Sequence, residues 1–209
     1  MQSLFRPILS VSLLCALTLV GCSSNSPSNG ETSISSEPEA TETQTTETET
    51  ETPEAAPTEQ LVLADGSVTV DLPAGWAANP GQHPFDEQSL SPDKRLGTGI
   101  RVLRLAELPE GAAPKDAYLR DIEILTSQGD YSESEAETVE SLEDKTVTTT
   151  TYAGEINGLA AYYKFALIEF TEDPDLFLVM VQGGAPTDWA TANEILMEIN
   201  RSATIATAE

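Results

Sequence analysis

Apolar residues fall along this chain in three different rhythms. Ile8–Val20 is a continuous apolar run, broken only by the hydroxyls of Ser10, Ser12 and Thr18. Ser23–Glu59 then has Ile34 as its only large aliphatic residue and no aromatic. From Gln60 onward, periods of two and of 3.6 alternate, which is the signature of a folded α+β region.

Within that region Val68, Val70 and Leu72 alternate with polar neighbours and predict a strand, ended by Pro73-Ala74-Gly75. Trp76 follows as a plug for the edge of a core. Asn79–Asp93 carries three prolines and predicts a loop, with at most a short strand near Phe85. Gly99–Leu105 predicts a strand flanked by Gly97 and Gly99. Pro114 opens a helix to about Gln128, with Tyr118, Ile122 and Leu125 on its inner face and Arg120, Asp121 and Glu123 toward water. Tyr131–Glu140 reads as an edge strand whose charges discourage pairing with another chain. Thr146–Tyr152 and Ala160–Phe170 form a hairpin around Asn157-Gly158, a dipeptide that accepts positive φ. Leu176–Val181 is an unbroken apolar run, as expected of a central strand, closed by Gly183-Gly184. Thr187 would cap a last helix with Trp189, Ala192, Leu196 and Ile199 on one face. Strands, helix, antiparallel meander and helix make an α+β fold, an antiparallel sheet with packed helices.

The polar middle segment sets the organisation. It holds nine Glu and no Lys or Arg, with Thr and Glu alternating through Thr41–Thr52. Such a segment cannot bury enough apolar surface to offset its chain entropy. As a flexible coil it reaches about 35 Å, and further where its charges stretch it. Residues 1–21 are expected to be a signal peptide, 22–59 a tether and 60–209 one domain. The apolar run is shorter than the roughly 20 residues that span a bilayer.

Leu19-Val20-Gly21-Cys22 ends the apolar run and reads as a lipobox. A small residue precedes a thiol that a diacylglyceryl donor can alkylate, and two or three acyl chains anchor stably. Cys22 is therefore the expected lipidation site. Cys15, the only other cysteine, lies in the leader, so the mature domain is expected to carry no thiol chemistry. The expected location is extracytoplasmic, at the membrane of a cell envelope.

Net charge is −25 over the chain. The domain from Gln60 has 26 acidic and 9 basic residues, a net −17. Nucleic-acid binding needs the opposite sign. The same charge holds the domain off anionic lipid.

Leu72-Pro73-Ala74-Gly75-Trp76 after a first strand resembles the opening of PsbP-like domains. The helix from Pro114, the Asn157-Gly158 hairpin leading to Tyr162-Tyr163, and the closing helix through Ile199 and Ser202 follow that family's order. The likeness spans Val68 to about Ile205. It implies an α/β/α sandwich whose known members mostly bind other proteins, a fold shared by a nuclear-import factor that binds the Ran GTPase. The leader and tether match its bacterial lipoprotein members better than a chloroplast subunit.

Candidate chemistry is sparse. His83, the only histidine, lies in the turn-rich Pro80-Gly81-Gln82-His83-Pro84, without a Gly-x-Ser-x-Gly elbow, and reads as a surface loop residue or part of a binding surface. Glu169, Glu172, Asp173 and Asp175 surround a turn at Pro174; they read as a solvated turn or as oxygen ligands for a hard cation. Glu133, Glu135 and Glu137 would point one way on a strand. Phosphate-binding glycine loops are absent from the sequence. Tyr162, Tyr163 and Trp189 read as core residues, with Tyr162 also a candidate for a pocket or contact surface. The expectation is a non-enzymatic, membrane-anchored protein-interaction module without cofactor. The alternative is a small-ligand or divalent-cation binding protein, and a third possibility is a hydrolase using His83.

Overall fold

A computed structural model of the chain describes residues 58–63, 66–81, 84–156 and 158–206. Cys22, the tether up to residue 57, His83 and Asn157 lie outside the described residues. Among the described residues, no helix is long and apolar enough to cross a membrane.

The backbone of the domain is a seven-stranded antiparallel sheet. Its strands are β3 (Ala77–Pro80), β4 (Glu87–Leu90), β5 (Leu96–Arg104), β6 (Ser132–Ser141), β7 (Lys145–Ile156), β8 (Leu159–Phe170) and β9 (Leu176–Gly184). They lie in the order β3-β4-β5-β9-β8-β7-β6. A smaller sheet, β1-β2-β10, joins β1 (Thr58–Val62), β2 (Val68–Pro73) and β10 (Thr204–Ile205). Helix α1 (Pro114–Thr126) packs on one face of the large sheet, and α2 (Trp189–Ser202) with the small sheet on the other. The fold is α+β.

Side-chain alternation divides the core into two. Ile100, Val147, Ala166, Ile168 and Met180 meet Leu196 and Ile199 of α2 and Val70 and Leu72 of β2. Phe165, Leu167, Phe177 and Val179 meet Ala117, Tyr118 and Ile122 of α1. A central strand covered on both faces needs apolar residues at every position, which explains the unbroken run in β9. Trp76 closes the core on the α2 side, as its position after β2 suggested.

Several expectations are corrected. Asn79–Asp93 contains most of the β3–β4 hairpin rather than a loop; both strands are short and lie toward one edge of the sheet, so neither shows a period-two pattern. Gly97 and Gly99 lie inside β5 rather than beside it. A Cβ on Gly99 would sit 2.8 Å from the Phe85 ring, so glycine makes room for that ring. Gly183 and Gly184 do not end the central strand but belong to it. The first strand takes in Thr58 and Glu59, assigned by sequence to the tether. Asp188, not Thr187, caps α2: its carboxylate accepts from the Ala190 N–H at 3.0 Å and the Thr191 hydroxyl at 2.7 Å.

Asp121 does not face water. It is buried on α1 and pairs with Arg101 of β5 at 3.1 Å. Burial pushes its carboxyl above the usual range, against the pull of Arg101 and Arg120. A buried cation, Lys145, closes the far end of α2. Its Nζ donates to the Ala203 carbonyl at 2.7 Å and to Asp144 at 2.9 Å, satisfying a backbone oxygen that the helix leaves open.

Candidate functional site

Cross-strand register puts six polar residues in one line across the large sheet. Ser89 of β4 lies opposite Thr98 of β5, and Thr98 opposite Gln182 of β9. Gln182 lies opposite Lys164 of β8, Lys164 opposite Thr151 of β7, and Thr151 opposite Glu135 of β6. Neighbours in such a line stand about 5 Å apart and share a face. Their face is the one covered by α2, because Ile100, Met180 and Ala166, two residues along the same strands, belong to the core against that helix.

The line is deeply buried. Relative exposure is 1% for Ser89, 3% for Thr98, 0% for Gln182, 3% for Lys164 and 0% for Thr151. Only the Glu135 end reaches water, with 41% of its side chain exposed.

That end is well bonded. The Thr151 hydroxyl donates to Glu135 Oε2 at 2.6 Å, and Lys164 Nζ approaches the same oxygen at 3.4 Å. Trp189 Nε1, at the start of α2, donates to Glu135 Oε1 at 3.2 Å. The Trp189 indole also stacks on the Tyr162 ring, with centroids 4.6 Å apart and planes 10° from parallel. Burial acts to raise the Glu135 carboxyl, but the bonds from Thr151 and Trp189 and the Lys164 charge outweigh it and hold it below the usual carboxylate value. Burial holds Lys164 below the ordinary lysine value, with Glu135 opposing.

The other end is not bonded. Among the described residues, the Ser89 hydroxyl, the Thr98 hydroxyl and the Gln182 carbonyl oxygen find no hydrogen-bond partner. The Gln182 amide nitrogen reaches only the Met180 sulfur, at 4.0 Å. Native interiors seldom leave such groups unmatched, because each costs about 1–3 kcal/mol. Three of them stand adjacent here, on β4, β5 and β9.

The sequence candidates fare differently. Tyr162 is at the site, through its stack on Trp189. Glu133, Glu135 and Glu137 do not point one way, because β6 shifts register between Glu133 and Glu135 and again between Glu135 and Thr138. Glu135 joins the line, whereas Glu137 pairs with Lys115 of α1. Farther along, Glu140 pairs with Arg201 of α2 at 3.0 Å, so the acidic edge strand is tied to both helices.

Glu169, Glu172, Asp173 and Asp175 are not brought together. Asp173 pairs with Arg104 at 3.4 Å and accepts from the Asp175 N–H, while Glu169 lies back in β8 between Thr146 and Phe177. Among the described residues, no three His, Cys, Asp or Glu are placed to hold a metal ion. Sequence reasoning missed Ser89, Thr98, Thr151, Lys164 and Gln182. The available signal was Lys164 itself, a cation between Tyr163 and Phe165 in a strand whose only other charged residue is Glu169.

No protein-family model matches the sequence, and no curated protein sequence matches it. The fold is similar to that of LpqN of Mycobacterium tuberculosis, a protein involved in cell envelope biogenesis. The TM-score is 0.51 and the identity 10%, over 74% of this chain and 93% of LpqN. PA94 of Pseudomonas aeruginosa, a protein of unknown function, aligns over 68% of this chain and 94% of its own, with a TM-score of 0.37 and 14% identity.

Proposed function

We propose that this chain is a non-enzymatic, extracytoplasmic binding protein of the cell envelope, held to a membrane by lipid on Cys22 and carrying a PsbP-like domain. Its ligand is small and polar, and it would be met by the line from Ser89 to Lys164, which the closed fold seals from solvent. One observation carries this reading: three unmatched polar side chains stand side by side on a rigid sheet under α2. The lipobox and acidic tether support the anchored location. The likeness to LpqN, an envelope-biogenesis protein, supports the setting.

The site predicts a trade-off between stability and binding. Thr98→Val with Gln182→Leu removes two groups that each cost about 1–3 kcal/mol when unmatched. The ligand-free double variant should melt about 4 °C or more above the parent, at about 2–4 °C per kcal/mol for a domain of this size. Denaturing the parent, purified from its native membranes, should release a small molecule that the variant lacks. A double variant that melts lower, with the same released molecules, would sink the reading.

The anchor has its own test. Cys22→Ala should move the protein from the membrane to the soluble fraction with its melting temperature unchanged. A variant that stays in the membrane fraction at high salt rules the lipid anchor out.

A protein partner is the second reading. Trp189 and Tyr162 are half-buried and rigidly stacked, and aromatic residues of that kind dominate protein contact surfaces. Crosslinking in native membranes distinguishes the two. A stoichiometric partner lost on Trp189→Ala but kept in Thr98→Val with Gln182→Leu favours the surface over the buried line.

A further inference from the structure

Proteins blunt the free edges of their sheets with charge, bulges, proline or brevity. Three of the four edge strands described here follow that rule. In the large sheet, β6 carries Glu133, Glu135, Glu137 and Glu140 and two register shifts, and β3 has four residues ending in Pro80. In the small sheet, β10 has two residues. The fourth, β1, is different. It runs five residues in unbroken register against β2, lies at the edge of its sheet, and carries one charge, Glu59.

The bonds around β2 fix which groups of β1 face outward. The Leu63 N–H donates to the Val68 carbonyl at 3.1 Å, so Leu61 and Glu59, which alternate with Leu63, turn their backbone toward β2. Asp71, opposite Gln60, turns away from β1: its N–H donates to Ser202 Oγ at 2.9 Å, and its carbonyl accepts from the same hydroxyl at 3.3 Å. Thr58, Gln60 and Val62 therefore present their backbone N–H and carbonyl groups at the edge. Their side chains share the face away from the core, because Leu61 packs against the core and Val62 is 56% exposed.

We propose that β1 pairs antiparallel with β1 of a second copy of this chain, about a two-fold axis at Gln60. This register joins all three outward residues at once: Gln60 faces Gln60 of the second copy, and Thr58 and Val62 face each other. Glu59 falls opposite Leu61 of the second copy, so no like charges are directly opposed. The exposed Val62 gains a β-branched neighbour. A two-fold interface must be self-complementary, and this strand is.

Size and charge say where the contact operates. A five-residue strand pair falls short of the roughly 1,200 Å² that stable complexes bury. A net charge of −25 per chain opposes encounter in dilute solution, so added salt should strengthen the pairing. The contact needs copies held close together, which the lipid anchor proposed above supplies; to that extent this step rests on that reading.

Single cysteines in the full chain, oxidised in its native membranes, test the register. Gln60→Cys should form a disulfide with itself, because opposed residues that exchange both backbone bonds stand about 5.5 Å apart at Cα, within disulfide range. Thr58→Cys alone should crosslink several-fold less, because its two copies lie about 13 Å apart along the strands. Coexpressed with Val62→Cys, it should crosslink fully. The unsubstituted chain controls for any thiol at Cys22. Adding Gln60→Pro to the coexpressed pair should abolish the crosslink and leave the melting temperature unchanged, because the lost N–H faces away from β2.

Equal crosslinking of Gln60→Cys and Thr58→Cys would overturn the pairing, and so would a crosslink between positions 58 and 62 that survives Gln60→Pro. If the chain is recovered in the soluble fraction, the anchor falls. The same variants oxidised at millimolar concentration then decide the pairing by itself, and a Gln60→Cys chain that stays uncrosslinked there overturns it too.

Discussion

Gly184→Ala should be among the most damaging single changes in this domain, costing about 4 kcal/mol or more and lowering the melting temperature by roughly 8–16 °C. Gly184 has φ +148, a backbone conformation that side chains rarely adopt. A Cβ there would lie 1.9 Å from the Arg95 carbonyl oxygen, far inside van der Waals contact. The neighbour offers no relief. Gly183, at φ +156, would put its Cβ 2.1 Å from the Tyr162 carbonyl oxygen, so β9 is pinched between the backbones on both sides.

Backbone cannot swing away as a side chain can, because Gly184 pairs with Tyr162 on one side and Leu96 on the other. The Ala185 N–H also donates to the Arg95 carbonyl at 3.0 Å, in the segment that leads into Trp189. A shift there should therefore disturb the Trp189–Tyr162 stack as well as stability, and the tryptophan emission should change. Gly111→Ala is the matched control. Its φ is +83, but a Cβ would meet nothing within 4 Å, so only the backbone cost of about 1–2 kcal/mol applies. Similar melting temperatures for the two variants would show that the pinch at Gly184 is soft.

Those glycines also illustrate what a sequence conceals. A Gly-Gly pair after an apolar run reads as a strand end, and only the approach of β8 and β5 makes it part of the strand. The elements with strong periodicity were legible: β2, β5, β7, β8, β9 and both helices lie close to where alternation and 3.6-residue spacing put them. What escaped was short or peripheral. β3 contains Ala-Ala-Asn-Pro and β4 Glu-Gln-Ser-Leu; toward the sheet edge, few of their positions must be apolar.

The candidate site escaped for a different reason. Ser89 and Gln182 are separated by most of the domain, and they become near neighbours only through the register of three strands. No local motif encodes such a line. Glu135 was hidden by two register shifts, since a regular strand would have sent Glu133, Glu135 and Glu137 all to one face. Lys164 alone was visible, because a cation inside a strand with both neighbours apolar must find a partner or be costly to bury.

That partnership should make Glu135 the most sensitive surface carboxylate of the domain. Glu135→Gln should lower stability by about 2 kcal/mol, the scale of a hydrogen bond to a charged group, because it leaves the Lys164 ammonium buried and without its counter-charge. The larger penalties of fully buried pairs do not apply, because 41% of the Glu135 side chain meets solvent. Lys164→Met leaves Glu135 with Thr151, Trp189 and water, so it should cost less, and a methionine can occupy the place on the α2 face between Thr151 and Gln182. The double variant should then be more stable than Glu135→Gln alone, giving a coupling between the two sites of about 1–2 kcal/mol. Purely additive losses would mean that the two groups do not sense each other across 3.4 Å.

Both members of the pair should make stability rise with pH, each in its own window. Glu135 is lowered in the fold, so its contribution is present above the unfolded carboxylate value and lost as pH falls through its folded value. Lys164 is also lowered, so its ammonium is a cost that persists near neutrality and is relieved as pH rises past its folded value toward that of a free lysine. The parent should therefore lose more stability than Glu135→Gln on acidification. It should gain more than Lys164→Met on moving from neutral to alkaline pH, and melting curves across that range read both slopes directly.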